Sequence, residues 1–174
     1  MPELGRTWAI SVNGPSKQRK VPTPLRRLIS FGSIELMWKC MNNLPKPDDI
    51  VDDGNIYIFQ DGINPTWEDI ANRNGGRWMF SIPVGDSSVA IVWQNLYLNL
   101  FGEILENKTM NFEISGIILA RRRNYTRFSI WTKNKFNSEA ILFIGKIIKA
   151  ELPKNIVLEY QDHNSSFEVY RHVL

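Results

Sequence analysis

Apolar positions along the chain change period several times, and each change marks an element. Trp8, Ile10 and Val12 alternate with polar or small residues, the two-residue period of a strand. Asn13 to Pro24 breaks that alternation with Gly14, Pro15, Pro22 and Pro24 among basic residues, and reads as a loop. Ile34, Met37, Met41 and Leu44 then recur at helical spacing, and Ser33 is placed to cap a helix running to about Asn43. Trp38 stands beside that face, one turn after Ile34. Asn55 to Gln60 is β-branched and aromatic, which predicts a strand, and Asp61-Gly62 turns out of it. Arg77 to Pro83 predicts another strand.

The longest helical stripe is Val89, Val92, Trp93, Leu96, Tyr97 and Leu100, predicting a helix over 89–101. Ile91 and Leu98 lie off that stripe, either as incidental surface residues or as part of a second contact face. Phe112 to Ala120 and Tyr125 to Thr132 read as strands joined by an arginine-rich turn. In the second, Phe128 and Ile130 face one way, and Arg127, Ser129 and Trp131 the other. Ser138 is placed to cap a third helix, and Ile156 to Tyr160 reads as a final strand. Short turns join several neighbouring strands. The pattern therefore predicts an α+β fold, an antiparallel sheet with helices on one face, rather than a doubly wound parallel sheet.

Composition adds bounds. A chain of 174 residues fits one domain, 1–174, with a core large enough to do without disulfides. Cys40 is the single cysteine, which excludes an internal disulfide and fits a reducing compartment. No apolar run reaches the length of a membrane span, and the first residues lack the pattern of a signal peptide. The net charge of +3 is mild, but it is clustered. Lys17, Arg19, Lys20, Arg26 and Arg27 gather early, and Arg121, Arg122, Arg123 and Arg127 later. Such clusters suit phosphate, although a solvated charged surface explains either one alone.

The densest chemistry lies in DGINPTWEDIANRNGGRW, Asp61 to Trp78. A Trp beside a carboxylate, here Trp67-Glu68, suits a flat cationic ligand that carries N–H donors. A guanine methylated at N7 is such a ligand. Glu68-Asp69 is also open to an acid/base or magnesium role in a nucleotide hydrolase. Against catalysis, the chain has no phosphate-loop motif, no Gly-x-Ser-x-Gly elbow, and only two histidines, His163 and His172. No enzyme activity and no cofactor or metal are expected. Core packing explains Trp67 or Trp131 taken singly; their combination with the arginines favours binding.

Five segments together resemble the translation initiation factor 4E family, the cytoplasmic messenger-RNA cap-binding proteins. They are LRRLISFGSIELMW, DGINPTWEDIANRNGGRW, VWQNLYLNLFGE, SIWT and IVLEYQDH, and they span nearly the whole chain in family order. The resemblance implies a curved antiparallel sheet with three long helices on its convex face and the 7-methylguanosine cap on the concave side. By position, Trp67 matches the stacking tryptophan and Glu68 the carboxylate that reads guanine. Trp131 matches the tryptophan at the N7-methyl group. Arg77, Arg122 and Arg127 match phosphate-binding residues, Arg127 in place of a lysine. Asn124 stands where the family often has a lysine, a loss that Arg121 and Arg123 are placed to offset.

The family's second stacking tryptophan falls at Val21, and no aromatic lies between Asn13 and Pro24. Weaker cap binding than in a two-tryptophan member is expected from that exchange. Ile34, Trp38 and Leu98 match the dock for an amphipathic helix from a 4G-type scaffold or a 4E-binding protein. In that region Gln94 and Asn95 stand where the family has an apolar residue and a glutamate. Pro2-Glu3 stands where it has a His-Pro pair, and the family's longer loop after His163 looks trimmed, so its regulatory phosphorylation is not carried over to Ser165 or Ser166. The resemblance implies a monomer that binds capped messenger RNA and a scaffold to recruit ribosomes. It implies a cytoplasmic place, with a nuclear one also compatible, and no membrane attachment. The alternatives are a cap-binding repressor and an interaction module with a weakened cap pocket.

Overall fold

A computed structural model describes residues 1–17, 21–106, 112–165 and 170–174. Among the described residues one antiparallel sheet of eight strands runs in the order β2-β1-β3-β5-β6-β4-β7-β8. Its strands are β1 (Glu3–Asn13), β2 (Arg26–Ser33), β3 (Asn55–Gln60), β4 (Gly76–Pro83), β5 (Ile114–Arg121), β6 (Tyr125–Thr132), β7 (Glu159–Asp162) and β8 (His172–Val173). Three α-helices, α1 (Ile34–Asn43), α2 (Val89–Phe101) and α3 (Ser138–Glu151), interleave with them. A short 3₁₀ turn covers Pro47–Asp49.

Alternation along the strands sorts side chains between two faces. Trp8, Ile10, Ile56, Ile58, Trp78, Phe80, Ile82, Phe128 and Ile130 join the buried residues of all three helices in one core. On the opposite, open face Phe59, Ile118 and Trp131 form a small buried cluster, flanked by Tyr57 and Ile63. The sheet thus has one face packed under helices and one face left for other work, as antiparallel sheets commonly do.

Several predicted bounds hold. The stripe at 89–101 is α2 and Tyr125–Thr132 is β6. Ser33 caps α1, its Oγ accepting from Leu36 N at 3.4 Å. Other expectations need correcting. Arg26–Ser33, which the sequence pattern left unassigned ahead of the helix, is edge strand β2, paired only with β1. Its Leu28 and Ile29 are exposed, so no buried alternation marked it. The cap of α3 is Asn137, not Ser138: Asn137 Oδ1 accepts from Ala140 N at 3.2 Å. The last strand pairing is shifted, because Ile156 and Leu158 pack into the core ahead of β7 rather than forming it.

Candidate nucleic-acid interface

Trp67 and Glu68 lie in the loop 61–75, between β3 and β4. The loop is built by its polar residues. Asp69 Oδ2 accepts from Asn64 N and Asp69 Oδ1 from Ala71 N, both at 2.9 Å. Asn72, fully buried, donates Nδ2 to Asn64 O and Thr66 O, each at 2.9 Å. These bonds close the backbone on both sides of Trp67-Glu68. Local side-chain-to-backbone bonds of this kind offer the backbone an alternative to helix or sheet pairing. Trp67 is left 47% exposed, a large apolar surface that the fold itself does not use. Both carboxylate oxygens of Asp69 thus support the loop backbone.

The Gly75-Gly76 pair ends this loop where there is no room for a side chain. A Cβ on Gly75 would stand 1.8 Å from Thr132 O, and one on Gly76 2.5 Å from Gln161 O. The backbone therefore enters β4 pressed between β6 and β7, and Arg77 starts on the open face beside Trp131 and Gln161.

Strand register sets the rest of the open face in tiers. Asn13, Asn55, Ala120, Arg127 and Ser81 form one row across β1, β3, β5, β6 and β4. Tyr57, Ile118, Ser129 and Met79 form the next. Phe59, Gly116, Trp131 and Arg77 form the third. The predicted orientation of Arg127, Ser129 and Trp131 is therefore the one observed.

The predicted phosphate residues divide between two cavities on this face. Arg77 and Arg127 line one of about 480 Å³ together with Ser81, Glu159, Gln161 and Tyr170. Burial, and then the charge of Arg127, pull the Arg77 pKa below its ordinary value. Among the described residues neither guanidinium is in an ion pair. Two guanidiniums and a single carboxylate, Glu159, line the cavity, and this excess of positive charge favours an anion there. Arg122 and Val21 line a second cavity of about 300 Å³ with Asn55 and Tyr57. Arg122 Nη1 donates to Asn55 Oδ1 at 3.0 Å and to Arg121 O at 2.8 Å. Val21 is 66% exposed and offers the face no aromatic surface.

Two placements differ from the sequence expectation. Arg121 cannot offset Asn124, because it is buried and turned toward Asp52 and the Arg122 carbonyl. Arg123 is exposed at the turn. Arg19 and Lys20 lie outside the described residues, as does Ser166. Trp131 faces the expected way but is only 6% exposed. Phe59 meets it edge-on at 5.4 Å, and the His163 ring covers it at 4.1 Å.

The histidine over Trp131 was not legible in the sequence as part of the site. Burial, then the charge of Arg77, hold the His163 pKa down at about 3 against an ordinary 6.5, with Asp162 opposing. The folded imidazole stays neutral where the unfolded one takes a proton. Between pH 6.5 and 3 the unfolded state binds more protons, so stability falls as pH drops, by up to about 1.4 kcal/mol per unit from this group. Above pH 7 the group contributes no slope. Urea midpoints at pH 7 and pH 5 should fall for the wild type and less for His163→Phe. Equal slopes in the two proteins would contradict this assignment.

On the other side of the molecule, Ile34 (38% exposed) and Trp38 (39%) stand one turn apart on α1. Leu98 on α2 is half-buried and lines a cavity of about 360 Å³ with Glu3, Leu4, Ile34, Met37 and Phe101. Pro2 O accepts from Ile34 N at 3.1 Å, which ties the start of the chain to this groove. Asn95 does not face it as a free polar group: its Nδ2 donates to Glu151 Oε2 on α3 at 3.0 Å.

The family model for eukaryotic initiation factor 4E matches residues 3–172. This chain belongs to that family. Eukaryotic translation initiation factor 4E-3 of Arabidopsis thaliana is 36% identical over 163 residues, 92% of this chain and 66% of its own length. Initiation factor NCBP of Triticum aestivum is 30% identical over 82% of this chain and 60% of its own length. The chain thus spans roughly three-fifths to two-thirds of the length of these curated relatives. The fold is also that of Ascaris suum eIF4E-3, solved with an m2,2,7G cap, at TM-score 0.88 and 25% identity over 99% of this chain and 98% of that one. It is equally that of C. elegans eIF4E-3, solved with the 4E-binding protein Mextli and a cap analog, at TM-score 0.88 and 24% identity over 99% of each. The sheet with its helices on one face is the architecture that the resemblance implied.

Proposed function

We propose that this chain binds the 7-methylguanosine 5′ cap of messenger RNA on its open sheet face. On its helical side it takes an amphipathic helix of a 4G-type scaffold or a 4E-binding protein, and so recruits ribosomes in the cytoplasm. The observation that carries the reading is Trp67-Glu68, an exposed indole and carboxylate held side by side by Asp69 and Asn72. Stacking on an indole is worth about 1–3 kcal/mol, and a cationic ring adds up to ~2. A carboxylate facing two guanine N–H groups adds paired, charge-assisted hydrogen bonds. The cavity shared by Arg77 and Arg127 has the charge for the phosphate chain. In this reading the chain acts as a binding module, and Asp69 beside Glu68 supports the loop that presents the pair.

Calorimetry with 7-methyl-GTP and GTP tests this. A preference of about tenfold or more for the methylated base is expected. Equal affinities would remove the stacked cationic base and the reading with it. A second reading, a member with weak cap affinity that works mainly through protein contacts, is favoured by exposed Val21 at the second stacking position.

Trp38→Ala tests the partner face. An aromatic anchor in a helix-binding groove is commonly worth about 2 kcal/mol or more, so scaffold-peptide affinity should fall some thirtyfold by calorimetry. A change below threefold would place the dock elsewhere.

A further inference from the structure

The loop 14–25 has no aromatic to set against the ligand base, but the sheet beneath it does. We propose that Tyr57 supplies the second aromatic surface of the base site, from the wall of the cavity at whose rim Val21 stands. This rests on the cap-binding reading and adds to it a residue outside the set Trp67, Glu68, Arg77, Arg122, Arg127 and Trp131.

Tyr57 sits in the middle of β3 and faces the open side, between Asn55 and Phe59 in the alternation. Its neighbours Ile56 and Ile58 go into the helical core. Val21, Pro22, Asn55, Tyr57 and Arg122 line one cavity of about 300 Å³. That is near the lower end for pockets that hold small ligands, about 300–1,000 Å³. The cavity therefore places an aromatic ring, an aliphatic surface and the Arg122 cation, 4.0 Å from the Asp53 carboxylate, around a single space.

The ring is also positioned. Tyr57 OH donates to Asn13 Oδ1 at 3.2 Å, and Asn55 Nδ2 donates to the same oxygen at 2.7 Å. Asn55 Oδ1 in turn accepts from Arg122 Nη1 at 3.0 Å. One hydrogen-bonded chain thus runs from the phenol to the guanidinium and sets their spacing. The neck of the loop above is closed: Thr23 N donates to Gly14 O at 2.8 Å, Gly14 N donates to Thr23 Oγ1 at 2.9 Å, and Pro15 bridges Pro22. Val21 is next to that closure and lines the cavity.

A tyrosine face carries the same negative quadrupole as an indole, in weaker form, and attracts a cationic base. Because the ring is already packed and hydrogen-bonded, little rotamer freedom is left to lose on binding. In this proposal Tyr57 and Val21 give the base one face and Arg122 stands at its phosphate end, while Trp67, which lines neither cavity of the open face, has to reach the base from the loop 61–75.

The test is calorimetry of the full chain with 7-methyl-GTP, with thermal melts of every variant. Tyr57→Ala should weaken binding about tenfold or more. Tyr57→Phe, which keeps the ring and loses only the bond to Asn13, should stay within about threefold. Adding Val21→Trp to Tyr57→Ala should recover most of the loss, since it restores an aromatic wall from the loop. If Tyr57→Ala destabilises the fold, Tyr57→Leu replaces it under the same criterion. Affinity of the ring-less variant within twofold of a wild type that binds overturns the proposal. So does an equal loss in Tyr57→Phe, which would assign the effect to the hydroxyl. A wild type that shows no methyl preference overturns the parent reading instead.

Discussion

Trp67→Ala lowers the affinity for 7-methyl-GTP by about a hundredfold or more, and leaves the melting temperature close to that of the wild type. The two halves of this result have separate causes. The indole is 47% exposed and belongs to neither buried cluster, so removing it opens no cavity in the core. The loop around it is held by Asp69 and Asn72, whose bonds run to the backbone and do not pass through the Trp67 ring. What is lost is a stack worth about 1–3 kcal/mol together with a cation–π attraction of up to ~2. Calorimetry and a thermal melt on the same sample measure both halves. A loss below about threefold would show that the ring does not touch the base.

Trp78→Ala should do the opposite. It should destabilise the fold by about 3–5 kcal/mol, the usual cost of truncating a large buried aromatic. Trp78 is completely buried, lies edge-on to Tyr160 at 5.3 Å, and donates Nε1 to Ile141 O at 2.9 Å. A Cβ on Gly145 would come within 2.4 Å of its ring, so α3 packs directly on the indole. That loss is a large share of the roughly 5–15 kcal/mol that holds a domain together. For a chain of this size it corresponds to a fall in Tm of about 6–20 °C. A fall of less than 3 °C would mean that the pocket collapses around the missing ring. Both tryptophans belong to the same motif, yet the fold leaves one exposed and seals the other in the core.

How much of this could be read in advance depended on range. The stripe that makes α2 and the alternation that makes β6 are local, and both were legible to the residue. Edge strand β2 was not, because it has one partner and exposes Leu28 and Ile29, leaving no periodic burial to read. Within the site, Trp67-Glu68 is a sequence-local motif and stood out. The shared cavity of Arg77 and Arg127 depends on the pairing of β4 with β6, which sets Ser81 opposite Arg127 and Arg77 opposite Trp131. Nothing near either arginine encodes that register. The same holds for His163 over Trp131 and for Tyr57 beneath Val21, contacts between segments far apart in the chain. Arg121 shows the converse error. Its place in an arginine run promised surface charge, but strand alternation turned it inward.

The strand order has a consequence for when the ligand loop comes into being. β3 and β4 flank the loop 61–75 in sequence, yet they do not pair; β5 and β6 stand between them. Until the hairpin 114–132 is inserted, the end of the loop that carries Gly75 has no neighbour on its β6 side, and the start has only β1 beside it. Such long-range pairings close late, because chain entropy must be lost before contacts are gained. A ribosome-bound chain that has emerged only through α2 therefore carries Trp67 and Glu68 without the frame that presents them. The hairpin supplies the β6 side of that frame, and the wall that Glu159, Gln161 and Tyr170 add around Arg77 comes only with the last part of the chain.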